Sequence, residues 1–452
     1  MKVNQKYKRL IKLIFTFGIT SLLIALYGWT WINYYNTIIE FPFFRRGNWM
    51  MIFLYSVLLI VFMSAYGGYK VGYLKKGNLI YSQMLAVIFT NIFTYLQISV
   101  LDKHFPNPLQ LLRMTAVDFF VILIWTLIYQ WMYAKMFPPR KILLISGNRS
   151  DYHLIEKINS REDKYEICKI INVGSGISFL QHEILKYDGV IIGDIFSHER
   201  NILLKFCFEN SIRTYSVPKI SDILLKSSVE LNLFDSPLLL SRNEGLTIEQ
   251  EFIKRLIDIV GAMVGIIITS PFFLIIALAI KMTDHGPVFF KQERLTKEGK
   301  VFNIYKFRTM IQDAEKDGVA RLASEGDSRI LPIGHILRRS RMDELPQLLN
   351  ILRGDMAFVG PRPERPELAE AILKEIPEFS YRTKVKAGLT GYAQIYGKYN
   401  TTSYDKLKLD LTYIRNYSIL LDLKLILMTP KILFLKESTE GINDNTQQNE
   451  KG

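Results

Sequence analysis

The chain has 452 residues, a formal net charge of +14 and 49% hydrophobic residues, with a mean hydropathy of +0.12. That is more than one ordinary domain, and too apolar for a chain that is soluble throughout. The basic charge leaves nucleic acid, anionic lipid or a phosphorylated substrate as partner classes, and apolar segments favour the last two, so no nucleic acid is expected. Cys168 and Cys207 are the only cysteines. They offer no disulfide framework and suit a reducing cytosol, and the six scattered histidines have no zinc spacing.

Four apolar runs come first, roughly 11–34, 49–65, 79–100 and 117–132. Each is long enough to span a bilayer, and residues 1–136 read as a four-helix transmembrane bundle. The first run is too long for a signal peptide, and no small-residue cleavage site follows it. Lys2, Lys6, Lys8, Arg9 and Lys12 precede the first run. Lys70, Lys75 and Lys76 lie in the second connection, and Lys135, Arg140 and Lys141 follow the fourth run. The positive-inside rule therefore expects both ends of the bundle in the cytoplasm of a multi-pass inner-membrane protein.

Residues 137–243 read as a Rossmann-like α/β domain. Lys141–Ser146 is the first strand, Gly147 its turn, and "YDGVIIGD" and "RTYSVP" are further strands. One glycine stands where a dinucleotide fingerprint needs three, so a domain used for packing or regulation is the better reading.

Residues 244–285 are expected at the membrane. Phe252, Ile253, Leu256 and Ile257 recur at helical spacing around Lys254 and Arg255, which suits an interfacial helix. The next apolar run, 259–280, is about 22 residues, enough to cross, yet Ser270-Pro271 sits in its middle. Proline breaks or kinks a helix, and a serine hydroxyl can satisfy a freed carbonyl in lipid. The run alone favours a kinked fifth span. The chemistry downstream, suited to substrates made in the cytosol, favours a re-entrant hairpin at Ser270 and Pro271 that returns to the cytoplasmic face.

Residues 286–436 carry that chemistry. "GPVFFKQERLTKEGKVFNIYKFRTM" reads as a β-hairpin around Lys297-Glu298-Gly299. Lys306 and Arg308 alternate onto one face, as do Gln292 and Arg294. Such a face can hold a diphosphate, or be a plain solvated strand. In "RRSRMDELPQLLNILRGDMAFVGPRPERP", Asp343 fits a helix N-cap with Pro346 in the first turn. The same position suits a carboxylate that acts as nucleophile or magnesium ligand, with Glu344 as a second carboxylate. Arg362, between Pro361 and Pro363, can be pre-aimed at a phosphate or belong to an ordinary turn.

These motifs, with "KAGLTGYAQIYGK" (386–398) after a Ser-Pro-interrupted apolar segment, resemble the bacterial sugar transferase family over about 248–436. These are polyprenyl-phosphate hexose-1-phosphate transferases, and the preceding helices and α/β domain resemble the family's longer branch. The resemblance implies a membrane helical bundle, a Rossmann-like α/β domain and a mainly helical α/β catalytic domain with a re-entrant hairpin. It implies transfer of a hexose-1-phosphate from a UDP-sugar to undecaprenyl phosphate, with release of UMP, at the start of capsule, exopolysaccharide or O-antigen synthesis. The sugar stays open among glucose, galactose and an N-acetylated sugar, with the habit of the longer branch leaning to glucose or galactose. Asp343 would be the nucleophile and Glu344 its partner for magnesium (or manganese) or a proton. Lys306, Arg308 and Arg362 would hold phosphates, and a homodimer is expected. A non-enzymatic scaffold or regulator of polysaccharide assembly would explain the N-terminal half but leave Asp343-Glu344 and Pro361-Arg362-Pro363 without a purpose. The Leu- and Ile-rich stretch 409–436, interrupted by Asp422, Lys424 and Pro430, reads as helices lying on the membrane, and 437–452 as a disordered tail.

Overall fold

The computed structural model describes residues 7–147, 152–233, 235–241, 243–312, 327, 329–397 and 401–433. The tail 437–452 lies outside the described residues. The chain divides into two units, Met1–Lys219 and Ile220–Gly452.

The first unit opens with α1 (Lys8–Ile38), which passes through a π turn at Trp31–Tyr35, followed by α2 (Arg45–Tyr66), α3 (Lys76–Asp102) and α4 (Leu109–Met136). All four are long and apolar enough to cross a membrane. They pack through aromatic and polar contacts: Tyr27 stacks on Tyr55 at 4.0 Å, and the Tyr55 hydroxyl donates to Asn91 Oδ1 at 3.2 Å. Leu13, Phe17, Phe53 and Trp131 point outward, as lipid-facing side chains would. Beyond α4 a parallel sheet of order β2-β1-β3-β4 forms from β1 (Arg140–Ser146), β2 (Tyr165–Asn172), β3 (Gly189–Ile192) and β4 (Arg213–Ser216). Helices α5 (Tyr152–Asn159), α6 (Ile177–Ile184) and α7 (Ser197–Glu209) connect its strands. Ile142–Ile145 are fully buried, as parallel strands covered on both faces require. Gly147, the lone glycine of the first turn, is needed for packing. A Cβ there would meet the Asp194 carbonyl at 2.1 Å.

The second unit begins with α8 (Ile220–Lys226) and a hairpin of β5 (Val229–Leu233) and β6 (Ser236–Leu240). Sequence reading grouped these residues with the α/β domain. Ile223 instead joins the core of the second unit with Val359, Phe379 and Leu411, and Arg415 Nε bonds Ser227 Oγ at 2.7 Å.

Helix α9 (Ile248–Asp284) starts at a Thr247–Gln250 capping box and is helical through Pro271. The interfacial helix and the hairpin expected as two pieces are therefore one 37-residue element. Ser270 explains how the helix persists. Pro271 has no N–H for the Ile267 carbonyl, and Ser270 Oγ donates to that carbonyl at 2.8 Å. The amphipathic reading of its first turns also changes in direction. Lys254 and Asp258 are buried against the unit, while Phe252, Leu256, Ile267, Ile268, Leu274, Leu278 and Met282 stand exposed.

Both ends of α9 dock on the same folded unit. Near its start Lys254 pairs with Asp422 at 2.5 Å, Arg255 donates to the Ile351 and Leu352 carbonyls, and Asp258 accepts from Phe358 N at 2.9 Å. Near its end Ile276 and Ile280 pack with Phe307 and Leu337. The antiparallel hairpin of β7 (Phe289–Leu295) and β8 (Val301–Phe307) follows, turning at Lys297–Gly299 as expected. Then come α10 (Pro332–Ser340), α11 (Gln347–Arg353), β9 (Met356–Val359), α12 (Pro366–Glu375) and β10 (Ala387–Thr390) parallel to β9. Helices α13 (Tyr392–Tyr396), α14 (Ser403–Arg415) and α15 (Ile419–Leu433) close the unit. Of the leucines expected to lie on the membrane, Leu411 and Leu425 are buried among Val359, Phe379 and Val385, whereas Leu420 and Leu423 are exposed.

Candidate active site

Helix α10 ends at Arg341, whose φ of 57° is left-handed. This reverses the chain into a 3-10 turn, Met342–Glu344, ahead of Pro346 and α11. Asp343 is therefore not the N-cap that its sequence position fits. Pro346 holds that place, and no side chain caps the helix. The turn instead sets two adjacent acids, Asp343 and Glu344, each 8% exposed, among cations.

Glu344 Oε1 receives Arg362 Nη2 at 2.9 Å and Lys306 Nζ at 3.3 Å, with Arg341 Nη1 at 3.5 Å. Burial alone would raise its pKa, but Arg362, Lys306 and Arg341 together overcome that and hold its carboxyl well below the usual range. Asp343 is pushed the other way, first by burial and then by the negative charge of Glu344. Its Oδ1 is buried with no hydrogen-bond partner. Two neighbouring acids driven apart in this way are suited to different chemical roles. Burial also pushes the Lys306 amine down, although Glu344 opposes this.

Arg362 reaches the acids from a braced turn. Its carbonyl accepts Arg382 Nη2 at 2.8 Å, and Arg382 pairs with Asp410 at 2.8 Å, both buried. Gly360 N donates to Thr390 O and Gly388 N to Pro361 O, each at 2.9 Å. A Cβ on Gly388 would lie 2.0 Å from Gly360 N, so this crossing needs glycine. On the other side Arg294 Nη1 donates to Pro363 O at 3.1 Å and Nη2 to Gln292 Oε1 at 2.6 Å. Burial and then nearby Arg362 push Arg294 down to about 10. Beside the turn opens a cleft of ≈ 120 Å³, lined by Arg362, Pro363, Leu373, Phe379 and Thr383 among others.

The structure thus brings Asp343, Glu344, Lys306 and Arg362 together. Gln292 and Arg294 share the hairpin face of Lys306, but Arg294 bonds the turn at Pro363 and Gln292 bonds Arg294. Arg308 sits apart. It lies one residue past β8, buried, with Nε on the Pro287 carbonyl at 2.6 Å and a fork onto Asp284 at the end of α9. Ser270 and Pro271 are in α9, as described above. Sequence reading missed Arg341, Arg338, whose charge acts on Asp343, and the Arg382–Asp410 brace. The first two stood in the Arg-rich stretch before Asp343. The brace joins residues 28 apart with no local pattern. Among the described residues no cluster of three His, Cys, Asp or Glu side chains is set to hold a metal. The free Asp343 Oδ1 fits one ligand of a hard cation otherwise held by water and substrate phosphates, whereas Glu344 Oε1 already faces three cationic side chains.

Residues 249–436 match the family described as bacterial sugar transferase. The chain is 35% identical over 259 residues to a UDP-N-acetylgalactosamine-undecaprenyl-phosphate N-acetylgalactosaminephosphotransferase of Aeromonas hydrophila, covering 54% of this chain and 58% of that protein. It is 39% identical over 202 residues to a UDP-glucose:undecaprenyl-phosphate glucose-1-phosphate transferase of Escherichia coli (strain K12), covering 44% and 42%. It is 40% identical over 186 residues to a protein of the same name from Caulobacter vibrioides, covering 40% and 69%. The match spans about half the length of the first two.

Proposed function

Because the chain belongs to the bacterial sugar transferase family, we propose that its second unit moves a sugar-1-phosphate from a UDP-sugar to undecaprenyl phosphate. The observation that carries this reading is the unpartnered, buried Asp343 Oδ1 beside a Glu344 held by three cations. A buried carboxylate oxygen without a donor is costly unless something else uses it. Asp343 attacks the phosphorus that bears the sugar, forming an Asp–O–P bond as the P–O bond to UMP breaks. UMP leaves with the electron pair. A lipid phosphate oxygen then attacks the same phosphorus, releasing the Asp343 carboxylate and leaving a sugar on a lipid diphosphate. Splitting transfer in two lets a soluble donor and a membrane acceptor each be positioned alone. Arg362 and Lys306 stabilise the phosphate charge of both steps, and Glu344 holds these cations in place. Arg308 acts at one remove, by fixing the end of α9. Magnesium or manganese would bind at Asp343, with Glu344 beside it, and would neutralise diphosphate charge. The cleft beside Arg362 receives the group carried on the diphosphate.

The chain is a membrane protein with five helices long and apolar enough to cross. We place it in the bacterial inner membrane with the second unit on the cytoplasmic face. Helix α9 then enters the bilayer and returns. Two observations support this. Both ends of α9 dock on one unit, and none of that unit's other described helices is long and apolar enough to span. Between Val260 and Leu278 its exposed large side chains are apolar, while Lys254 and Asp258 are buried against the unit and Glu249, Glu251 and Lys281 stand exposed near its ends. The first unit, with its Rossmann-like α/β domain, serves assembly, as a homodimer, or regulation.

The test is incubation of purified protein with undecaprenyl phosphate and a panel of UDP-sugars, including UDP-glucose, UDP-galactose and UDP-N-acetylgalactosamine. UMP release with one sugar, lost in Asp343→Asn, supports the reading. UMP release with none of them, in folded protein with added magnesium, overturns it.

A further inference from the structure

Within the first unit, the helix ends near the α/β sheet carry a ladder of cations and rings. Lys8 Nζ lies 5.0 Å from the Phe137 ring centroid and 5.1 Å from that of Tyr133. Lys12 Nζ lies 5.8 Å from Tyr133 and 3.9 Å from Tyr73. Lys164 Nζ lies 5.0 Å from the same Tyr73. These groups come from four places: the first turns of α1, the end of α4, the α2–α3 connection and the approach to β2. Arg161 Nη1 donates to the Tyr73 carbonyl and adds a further cation.

The charges around the ladder repel. Those acting on Lys8 are Arg140, Lys12 and Arg213, all of its own sign. Those acting on Lys164 are Arg161, Lys12 and Lys8, against one carboxylate, Asp163. Asp163 is already forked onto Arg161 at 2.8 and 2.9 Å. Among the described residues no ion pair joins Lys8, Lys12 or Lys164 to a carboxylate. Burial first, and then these neighbours, bring the Lys164 amine down to about 8. Aromatic faces return only about 0.5–1 kcal/mol per exposed cation and do not neutralise it.

We propose that this cluster binds the phosphate of an anionic phospholipid headgroup, with Lys8, Lys12 and Lys164 as its ligands. A phosphodiester supplies the missing negative charge and accepts from several ammonium groups at once. A lipid is favoured over a soluble anion by what lies next to the site. Leu10, Leu13, Ile14 and Phe17 form an exposed apolar stripe on the face of α1 opposite Lys8 and Lys12, so the first turns of this helix sit against acyl chains and set the two lysines at headgroup depth. Exposed Tyr73 is the amphipathic ring expected at headgroup level. The bound lipid would tie the sheet to the helix ends.

Native mass spectrometry of the full chain in detergent, titrated with phosphatidylglycerol or phosphatidylcholine, tests this. Wild type should retain phosphatidylglycerol in preference to phosphatidylcholine. Affinity should fall about fivefold for each lysine replaced, the equivalent of about 1 kcal/mol, in Lys164→Gln and then in Lys8→Gln/Lys12→Gln/Lys164→Gln. The triple Lys→Arg variant should retain the lipid, which separates loss of charge from loss of fold. Equal retention by wild type and Lys164→Gln would overturn the proposal. So would displacement of the lipid by inorganic phosphate, which would make the ligand a soluble anion.

Discussion

Replacing Arg382 with Met removes the donor that braces the Arg362 turn and strands Asp410, whose side chain is 1% exposed. Breaking a buried pair from one side costs about 3–5 kcal/mol. For a unit of this size each kcal/mol moves Tm by about 2–4 °C, so the transition of the second unit should fall by roughly 10 °C. Burial already raises the Asp410 pKa against the pull of Arg382. The loss should therefore be largest above that raised pKa and shrink as falling pH protonates the carboxyl. Adding Asp410→Leu should recover most of the stability, because an apolar pair can replace a buried ion pair. Turnover should not recover, since the Arg362 carbonyl still lacks the Arg382 bond of 2.8 Å and the guanidinium loses its aim. Thermal unfolding together with kcat and KM for the UDP-sugar checks both halves. A stability loss under about 1 kcal/mol, or full turnover in the double variant, would refute the brace.

Turnover should fall on the acid side at a pH above the ordinary aspartate value of about 3.9, because burial and Glu344 raise the Asp343 pKa and protonation removes the nucleophile. Glu344→Gln removes the like charge and should move this limb of kcat/KM downward, whatever its effect on rate; an unmoved limb would assign the titration to another group. Replacing Ser270 and Pro271 with Leu restores the backbone N–H for the Ile267 carbonyl and removes the hydroxyl that stands in for it, favours a straight helix, and should place some C-termini outside; a reporter that stays wholly cytoplasmic would mean that docking of both helix ends sets the topology alone. A chain starting at 220 should fold and release UMP, and one starting at 245 should be less stable for want of Ile223 and Ser227; equal melting of the two would show that α8 adds nothing.

Much of this was legible because the signals are local. Apolar runs of bilayer length mark α1 to α4, and the Lys297–Gly299 turn marks the β7–β8 hairpin. The cations Lys306 and Arg362 were legible by chemical type, since an acid pair beside basic motifs calls for them. The rest depends on contacts remote in sequence. Lys254 meets Asp422, 168 residues on, and that pairing turns the charged side of α9 inward, which its own periodicity cannot reveal. Arg308 continues the alternation of Lys306 on paper, but β8 ends at Phe307 and the next residue turns to Asp284. Asp343 looked like a cap because Pro346 follows it. The left-handed Arg341 redirects the chain, and propensity does not encode such a residue unless it is glycine. The Arg382–Asp410 brace and the core role of α14 and α15 follow from the same remoteness.

The account rests on Asp343 as a nucleophile, and isotope exchange addresses that most directly. Wild-type protein freed of lipid phosphate is incubated with labelled UMP and unlabelled UDP-sugar. A covalent step at Asp343 predicts label in the UDP-sugar without any acceptor, with none in Asp343→Asn, although that variant still binds the nucleotide. Normal turnover with undecaprenyl phosphate but no exchange in its absence would contradict the covalent step, leaving Asp343 to hold charge while the lipid attacks directly.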